Sequence, residues 1–324
     1  MSRLSHRYSV YGVEVTSDWP LAFPPSTGRG AQLAEVDFVE GTDEDFSEAA
    51  AFRSRPEPWF TSHVFPNRSA YARWSGLYEF RIDADGSRVA CRALDGCDPL
   101  VLQNYLFGQA LAFALVQQGL EPLHAAAVRV DDGAVGFLGD CTFGKSTLLA
   151  SFLQAGHRAL TDDLLMLVNR EGGPVALPGS GRIKLQPDSA RTFLDEAAQG
   201  EPLNGGTLKR SFSVDATQLQ RTELPLTHLF VLPTPDERKR ITSIGIEPLS
   251  RAGLFHEILK NSFNVEILTP ERLARQFAHA ATLAATVDGF LLKYPDGMHH
   301  LPLVRQSIVE HACKAVIADR RHLQ

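Results

Sequence analysis

Polar and apolar positions alternate in short runs along the first ninety or so residues: YSVYGVEVTS from Tyr8, DFVEG from Asp37, WFTSHVF from Trp59, YARWSG from Tyr71 and YEFRIDADGSRVACRAL from Tyr78. Alternation with period two is the mark of half-buried strands, so this region is predicted to be strand-rich. Ala84-Asp85-Gly86 sits between two alternating segments and predicts a tight hairpin, because glycine tolerates the positive φ such a turn needs. Segments 20–30 and 41–57, rich in Pro, Gly, Ser and acids, are loop candidates. Asp98-Pro99 then reads as a helix start and Gly119 as its stop. Gln103, Asn104, Gln109, Gln117 and Gln118 interrupt the apolar run between them, which makes it a buried helix of a soluble fold and not a membrane span.

Beyond that helix, strands alternate with helices, the signature of an α/β fold. HAAAVRV from His124 and AVGFLG from Ala134 read as strands, Lys145 to about Gln154 as a helix, and HRAL from His157 and DLLMLV from Asp163 as strands. Further strands are predicted at VALPG, RIKL, THLFVL, ITSIGIEPL and GFLLKY, and helices at SARTFLDEA, RAGLFHEILKNSF, ERLARQFAHAATLAA and VRQSIVEHACKAVIAD. The change in pattern divides the chain into a strand-rich N-terminal α+β domain over 1–97 and a second domain over 98–324.

Composition narrows the function. The 324 residues are 44% hydrophobic, enough for a sizeable core, and the net charge of −6 lacks the basic surplus that phosphate-backbone binding needs, so nucleic acid is not an expected partner. Cys91, Cys97, Cys141 and Cys313 form no CxxC pair, which argues against metal knuckles and a disulfide framework and fits reduced thiols. The first nine residues are polar, with Arg3, His6 and Arg7 and no apolar signal-peptide core. A cytoplasmic protein with no membrane partner is expected; the oligomeric state is left open.

The strongest chemical signal is Gly139-Asp140-Cys141-Thr142-Phe143-Gly144-Lys145-Ser146, which satisfies G-x-x-x-x-G-K-[ST] between an apolar strand and a helix. Glycines let backbone N–H groups curl around phosphate oxygens, the helix start adds a positive dipole end, Lys145 neutralises β/γ charge, and the Ser146 hydroxyl can ligate Mg²⁺. The expected ligand is a nucleoside triphosphate, held by residues 139–146 with Thr147. The loop alone does not separate a kinase from an ATPase or GTPase.

Two further features lie close by in sequence. Thr161-Asp162-Asp163 puts carboxylates at a strand end, where they can hold Mg²⁺ or accept a proton from an attacking hydroxyl; the plainer alternative is a solvated acidic turn. His124 opens the strand leading toward the loop, and its plainer alternative is a structural histidine. Lys209-Arg210, beside Asn204-Gly205-Gly206-Thr207, is either a flexible basic loop serving phosphates or a peptide carboxylate, or an exposed turn. Trp19, Trp59 and Trp74 either line a peptide groove or pack in the core.

The run LHAAAV, GDCTFGKST and AGHRALTDDLL resembles the catalytic domain of HPr kinase/phosphorylase, a serine kinase whose P-loop fold is related to phosphoenolpyruvate carboxykinase. His124 lies 21 residues before Lys145 and Asp163 lies 18 after it, the spacing of that family. The resemblance implies Asp163 as the base for the acceptor serine, His124 and Lys145 as phosphate contacts, and Ser146 as a Mg²⁺ ligand; Asp162, at the strand end beside the loop, is the candidate carboxylate for the same ion. Asp140-Cys141-Thr142-Phe143 and Thr147 depart from the family's loop, and Pro178-Gly179-Ser180-Gly181-Arg182 only faintly echoes its second signature. The resemblance therefore extends neither a second metal ligand nor a phosphorylase activity to this chain. YSVYGVEVTSDWPLAF with LQNYLFGQALAFALVQQGLEPLHAAAV is similar to the HPr-kinase-like proteins of ribosomal-peptide pathways, including lasso peptide kinases.

The resemblance and the loop together imply Mg-ATP-dependent transfer of a γ-phosphoryl group to a serine of a peptide or small protein, such as the C-terminal serine of a lasso-type precursor. Two other readings stand beside it: a nucleotide-binding scaffold without transfer, and a small-molecule kinase.

Overall fold

The computed structural model describes residues 5–24, 32–52, 58–94, 97, 99–194, 199–203, 206–263 and 267–322. It is a mixed α/β protein, with three sheets among the described residues. The chain forms two compact units: residues 1–122 with 202–204 and 263–275, and residues 123–201 with 205–262 and 276–324.

The first unit is built on a seven-stranded sheet, in the order His6–Val10, Val13–Ser17, Ala34–Glu40, Arg88–Ala93, Tyr78–Ile82, Ala70–Trp74 and Phe60–Val64. Ala34–Glu40 runs parallel to both its neighbours, and the remaining pairs are antiparallel. Alternation in sequence becomes alternation in burial: Val13, Val15 and Ser17 are buried while Glu14 and Thr16 are half-buried. The turn at 83–87 is the one Ala84-Asp85-Gly86 predicts. Gly86 has φ of 72°, and a Cβ there would stand 2.2 Å from the carbonyl oxygen of Ala114, so two independent constraints require glycine.

The helix predicted from 98 to 119 belongs with this sheet, so on packing the division of the chain falls after Pro122 and not before Asp98. Tyr105 lies against Trp74 and Tyr78, Phe107 against Phe23, and the Gln118 amide donates to the carbonyls of Glu35 and Gly86. A π-helical segment, Leu106–Ala110, interrupts it between Pro99–Tyr105 and Leu111–Gln117. Asp98, its expected cap, lies outside the described residues. Among the described residues no helix is long and apolar enough to cross a membrane.

The second unit is centred on a nine-stranded sheet. Gly133–Leu138 pairs antiparallel with Leu123–Val130 and parallel with Leu224–Val231, which pairs parallel with Asp288–Lys293. Gly133–Leu138 is apolar and buried at every position because both its faces are covered. Val135 and Phe137 point into one core with Leu149 and Phe152 of the helix Lys145–Gln154 and with Val304 and Ile308 of Leu301–His322. Ala134 and Leu138 point into the other, with Leu254 and Ile258 of Arg251–Lys260 and with Leu283.

Two sequence readings change in detail. ITSIGIEPL contributes only Gly245–Pro248 to the sheet. Arg210 opens a strand, Arg210–Ser213, that pairs with Arg182–Leu185, because Ser211 and Phe212 are buried there. Its guanidinium donates to the Gly200 carbonyl. Asn204 and Gly205, beside it in the proposed basic loop, lie outside the described residues. Trp74 is buried among Phe60, Phe80 and Tyr105, whereas Trp59 is 52% exposed.

Candidate functional site

Strand Gly133–Leu138 ends in a loop whose backbone ordinary residues rarely follow. Gly139 has φ of 150°, Thr142 of 72° and Gly144 of 94° before the helix Lys145–Gln154 begins. A side chain at Gly139 would run into the Phe143 ring, 2.9 Å from a built Cβ. No side-chain hydrogen bond caps that helix start, which leaves its first amides to an anion.

Both ends of the loop are fixed by residues distant in sequence. Gly139 N–H donates to Asn261 Oδ1 at 2.9 Å, and Asn261 is held by its own amide donating to the Glu257 carbonyl. Phe143 O accepts from Arg238 Nη1 at 2.6 Å, and Arg238 Nε also donates to Asp296. Lys145 folds back, donating from Nζ to the carbonyls of Gly139 at 2.6 Å and Asp140 at 3.2 Å. Burial lowers the Lys145 pKa, and the charges of Asp163 and Asp162 pull it back up. Asp140, Cys141 and Thr142 lie at the loop's tip and are all exposed. Thr147 turns aside to Ser189, with 3.1 Å between the hydroxyls.

The carboxylate pair meets this loop. Strand Ala159–Thr161 is followed by Asp162 and by Asp163 at φ of 75°, a conformation Asp tolerates better than most residues. Thr161 Oγ1 donates to the Leu164 carbonyl at 2.7 Å and closes the kink. Asp162, 5% exposed, accepts from Ser146 Oγ on Oδ1 at 2.9 Å and from the Lys184 N–H on Oδ2 at 3.0 Å. Burial, followed by the neighbouring Asp163 charge, raises its pKa against these two donors.

Asp163 stands between two nitrogen groups: Lys184 Nζ is 2.6 Å from Oδ2, and His124 Nε2 is 3.3 Å from Oδ1. Burial pushes its carboxyl up, but the Lys184 charge and the His124 hydrogen bond outweigh that and hold it well below the usual carboxylate range. Asp163 is therefore ionised, acceptor-only, and still 32% exposed. His124 reaches it because Leu123–Val130 pairs with Leu164–Leu165 in a register that sets His124 opposite Leu164. The His124 N–H donates to the Asn261 carbonyl, so one asparagine touches both the loop and the histidine strand.

Five of the side chains singled out from sequence thus lie around one loop: Lys145 and Ser146 at the helix start, Asp162 on Ser146, and Asp163 on His124. Lys184, Asn261 and Arg238 complete the arrangement without having been singled out. Lys184 left one trace, a polar position between the buried Ile183 and Leu185. Asn261 and Arg238 left none, since each acts on the loop from more than 90 residues away. Arg182, in the faint echo of a second signature, donates to Ser211 and Glu201 and ties strands together.

The donors suit Mg²⁺: a hydroxyl and a buried carboxylate are hard oxygen ligands already within 2.9 Å of each other, and Mg²⁺ takes one or two protein ligands alongside phosphate oxygens. Among the described residues no group of three or more His, Cys, Asp or Glu could hold a metal.

No protein-family model matches the chain, and no curated protein does. Among solved structures, the Hpr(Ser) kinase/phosphatase from Coxiella burnetii is similar over 60% of this chain and 97% of that one, at 14% identity and a TM-score of 0.34. A likeness at that level assigns no activity, which leaves function to the chemistry of the site.

Proposed function

We propose that this protein is a Mg-ATP-dependent kinase that transfers the γ-phosphoryl group to a serine hydroxyl of a peptide or small protein. One observation carries the reading: an anion-binding loop and a kinked, ionised carboxylate belong to one hydrogen-bonded set, through Ser146–Asp162 and the adjoining Asp163.

The loop amides and the start of Lys145–Gln154 bind the phosphates, and Lys145 leaves the Gly139 and Asp140 carbonyls for β/γ oxygens. Ser146 and Asp162 would hold Mg²⁺, which would supply positive charge to offset that of the phosphates. Asp163 accepts a hydrogen bond from the incoming hydroxyl and orients it. As the serine oxygen bonds to the γ-phosphorus, the bond from that phosphorus to the β–γ bridging oxygen breaks; ADP leaves and the hydroxyl proton passes to Asp163. His124, whose Nε2 is 3.3 Å from Asp163 Oδ1, is the residue the resemblance assigns to the phosphates in transfer. The serine acceptor is supported by the resemblance at 124–163, and the C-terminal serine of a lasso-type precursor by the resemblance over 8–23 and 102–128.

The test is mass spectrometry of serine peptides, including precursor-type peptides ending in serine, after incubation with Mg-ATP. Wild-type protein adds phosphate to serine. Asp163→Asn keeps ATP affinity and loses transfer by about 10²–10⁴-fold. Label appearing only on a metabolite, or Asp163→Asn transferring at the parental rate, would refute the proposal.

A further inference from the structure

Lys184 touches both carboxylates, and it touches them in two different ways. Its backbone N–H donates to Asp162 Oδ2 at 3.0 Å, and its ammonium group donates to Asp163 Oδ2 at 2.6 Å. Each carboxylate has its Oδ2 tied to the same residue, which leaves Asp162 Oδ1 to Ser146 and Asp163 Oδ1 to the side facing His124. We propose that Lys184 is the positioning residue of the site, fixing the rotation of the Asp163 carboxylate so that Oδ1 is the oxygen presented to the acceptor hydroxyl.

The terminal torsion of an aspartate is broad, so a carboxylate on an αL kink needs an outside anchor to hold one orientation. Lys184 supplies it from the strand Arg182–Leu185, whose Ile183 and Leu185 are 1% exposed and do the packing. The Lys184 side chain is 25% exposed and reaches Asp163 from outside that core. Its charge can therefore be removed with the strand intact, and its backbone bond to Asp162 survives any substitution that keeps the strand. The labour is divided: the metal-side carboxylate is held by main chain and the proton-accepting one by a side chain.

The kinetic arm of the test rests on the proposed transfer reaction, and the spectroscopic arm does not. In Lys184→Met, kcat for serine-peptide phosphorylation falls on the order of 10²-fold while KM for ATP is unchanged, and Lys184→Arg recovers most of the loss. At one fixed pH, the imidazole ¹⁵N resonances of His124, assigned with His124→Gln, move in Lys184→Met and stay in place in Lys184→Arg, because the Asp163 oxygen facing His124 is released only in the former. Lys184→Gln serves the same comparison where the methionine variant does not fold. Parental kcat in a charge-removing variant, or His124 resonances unmoved by it, would overturn the inference. Failure of wild-type protein to phosphorylate any peptide counts against the kinase reading alone, and the imidazole spectra still decide the role of Lys184.

Discussion

Each unit buries carboxylates, and the two do it for different ends. In the first, Glu79 is fully buried and saturated: it accepts from Tyr71 at 2.7 Å and Arg73 at 2.9 Å on Oε2, and pairs with Arg92 at 2.6 Å on Oε1. Glu79 sits in regular strand, directly opposite Arg73 and Arg92 on its two neighbours. In the second, Asp163 sits on a kink at φ of 75°, a third exposed, with one short bond and one long one. A carboxylate that serves only the fold is enclosed and fully satisfied, whereas one available for chemistry keeps an oxygen within reach at some cost in backbone conformation.

The largest break in that contrast comes from Glu79→Gln. It removes the buried negative charge that faces Arg73 and Arg92, of which Arg92 keeps Asp43 at 2.7 Å, and is expected to lower stability by about 3 kcal/mol, read in urea unfolding, with the transfer rate of the folded protein unchanged. A loss confined to activity would make Glu79 part of the site and dissolve the comparison.

A smaller effect separates the units by pH. His228, 2% exposed between Phe230 and Phe290, has neither ring nitrogen partnered, and burial holds its pKa below 6.5 against the pull of Asp288. Its folded form resists protonation, so the stability it permits is complete above pH 6.5 and falls as pH drops below that value. The slope from this one group is at most about 1.4 kcal/mol per pH unit. His228→Phe flattens it between pH 6.5 and 5, followed by hydrogen exchange of the second unit; His311 on the facing helix, also lowered by burial, keeps part of the slope. The first unit holds Asp45 down to about 2 through its hydrogen bonds from Arg88, so that contribution is present above pH 3.8 and lost only between 3.8 and 2. An unchanged slope in His228→Phe would remove His228 from the account.

What was legible in the sequence was whatever is encoded over short distances. The alternating runs before residue 94 emerge as paired strands, and the helix predicted to begin at Lys145 spans Lys145–Gln154. The loop was readable because two glycines, a lysine and a serine must stand at fixed offsets to make a phosphate cradle. His124, Asp162 and Asp163 were found by spacing and resemblance, and the register of Leu123–Val130 against Leu164–Leu165 explains how so distant a histidine reaches the pair. Lys184, Asn261 and Arg238 were not legible, because their partners are set by which strand ends and helix ends lie beside the loop, and no local pattern encodes that. The grouping of the helix at 99–117 with the first unit was not legible for a related reason: it is set by contacts such as Tyr105 on Trp74, which no local pattern encodes.

The most direct examination is a structure of the full chain with Mg²⁺ and a non-transferable ATP analogue. The account predicts the triphosphate on the amides of residues 139–146, Lys145 moved from the Gly139 carbonyl onto phosphate oxygens, and an Asp163 carboxylate oxygen facing the γ-phosphorus. A nucleotide bound elsewhere, or an Asp163 carboxylate turned away from the γ-phosphoryl group, would contradict it.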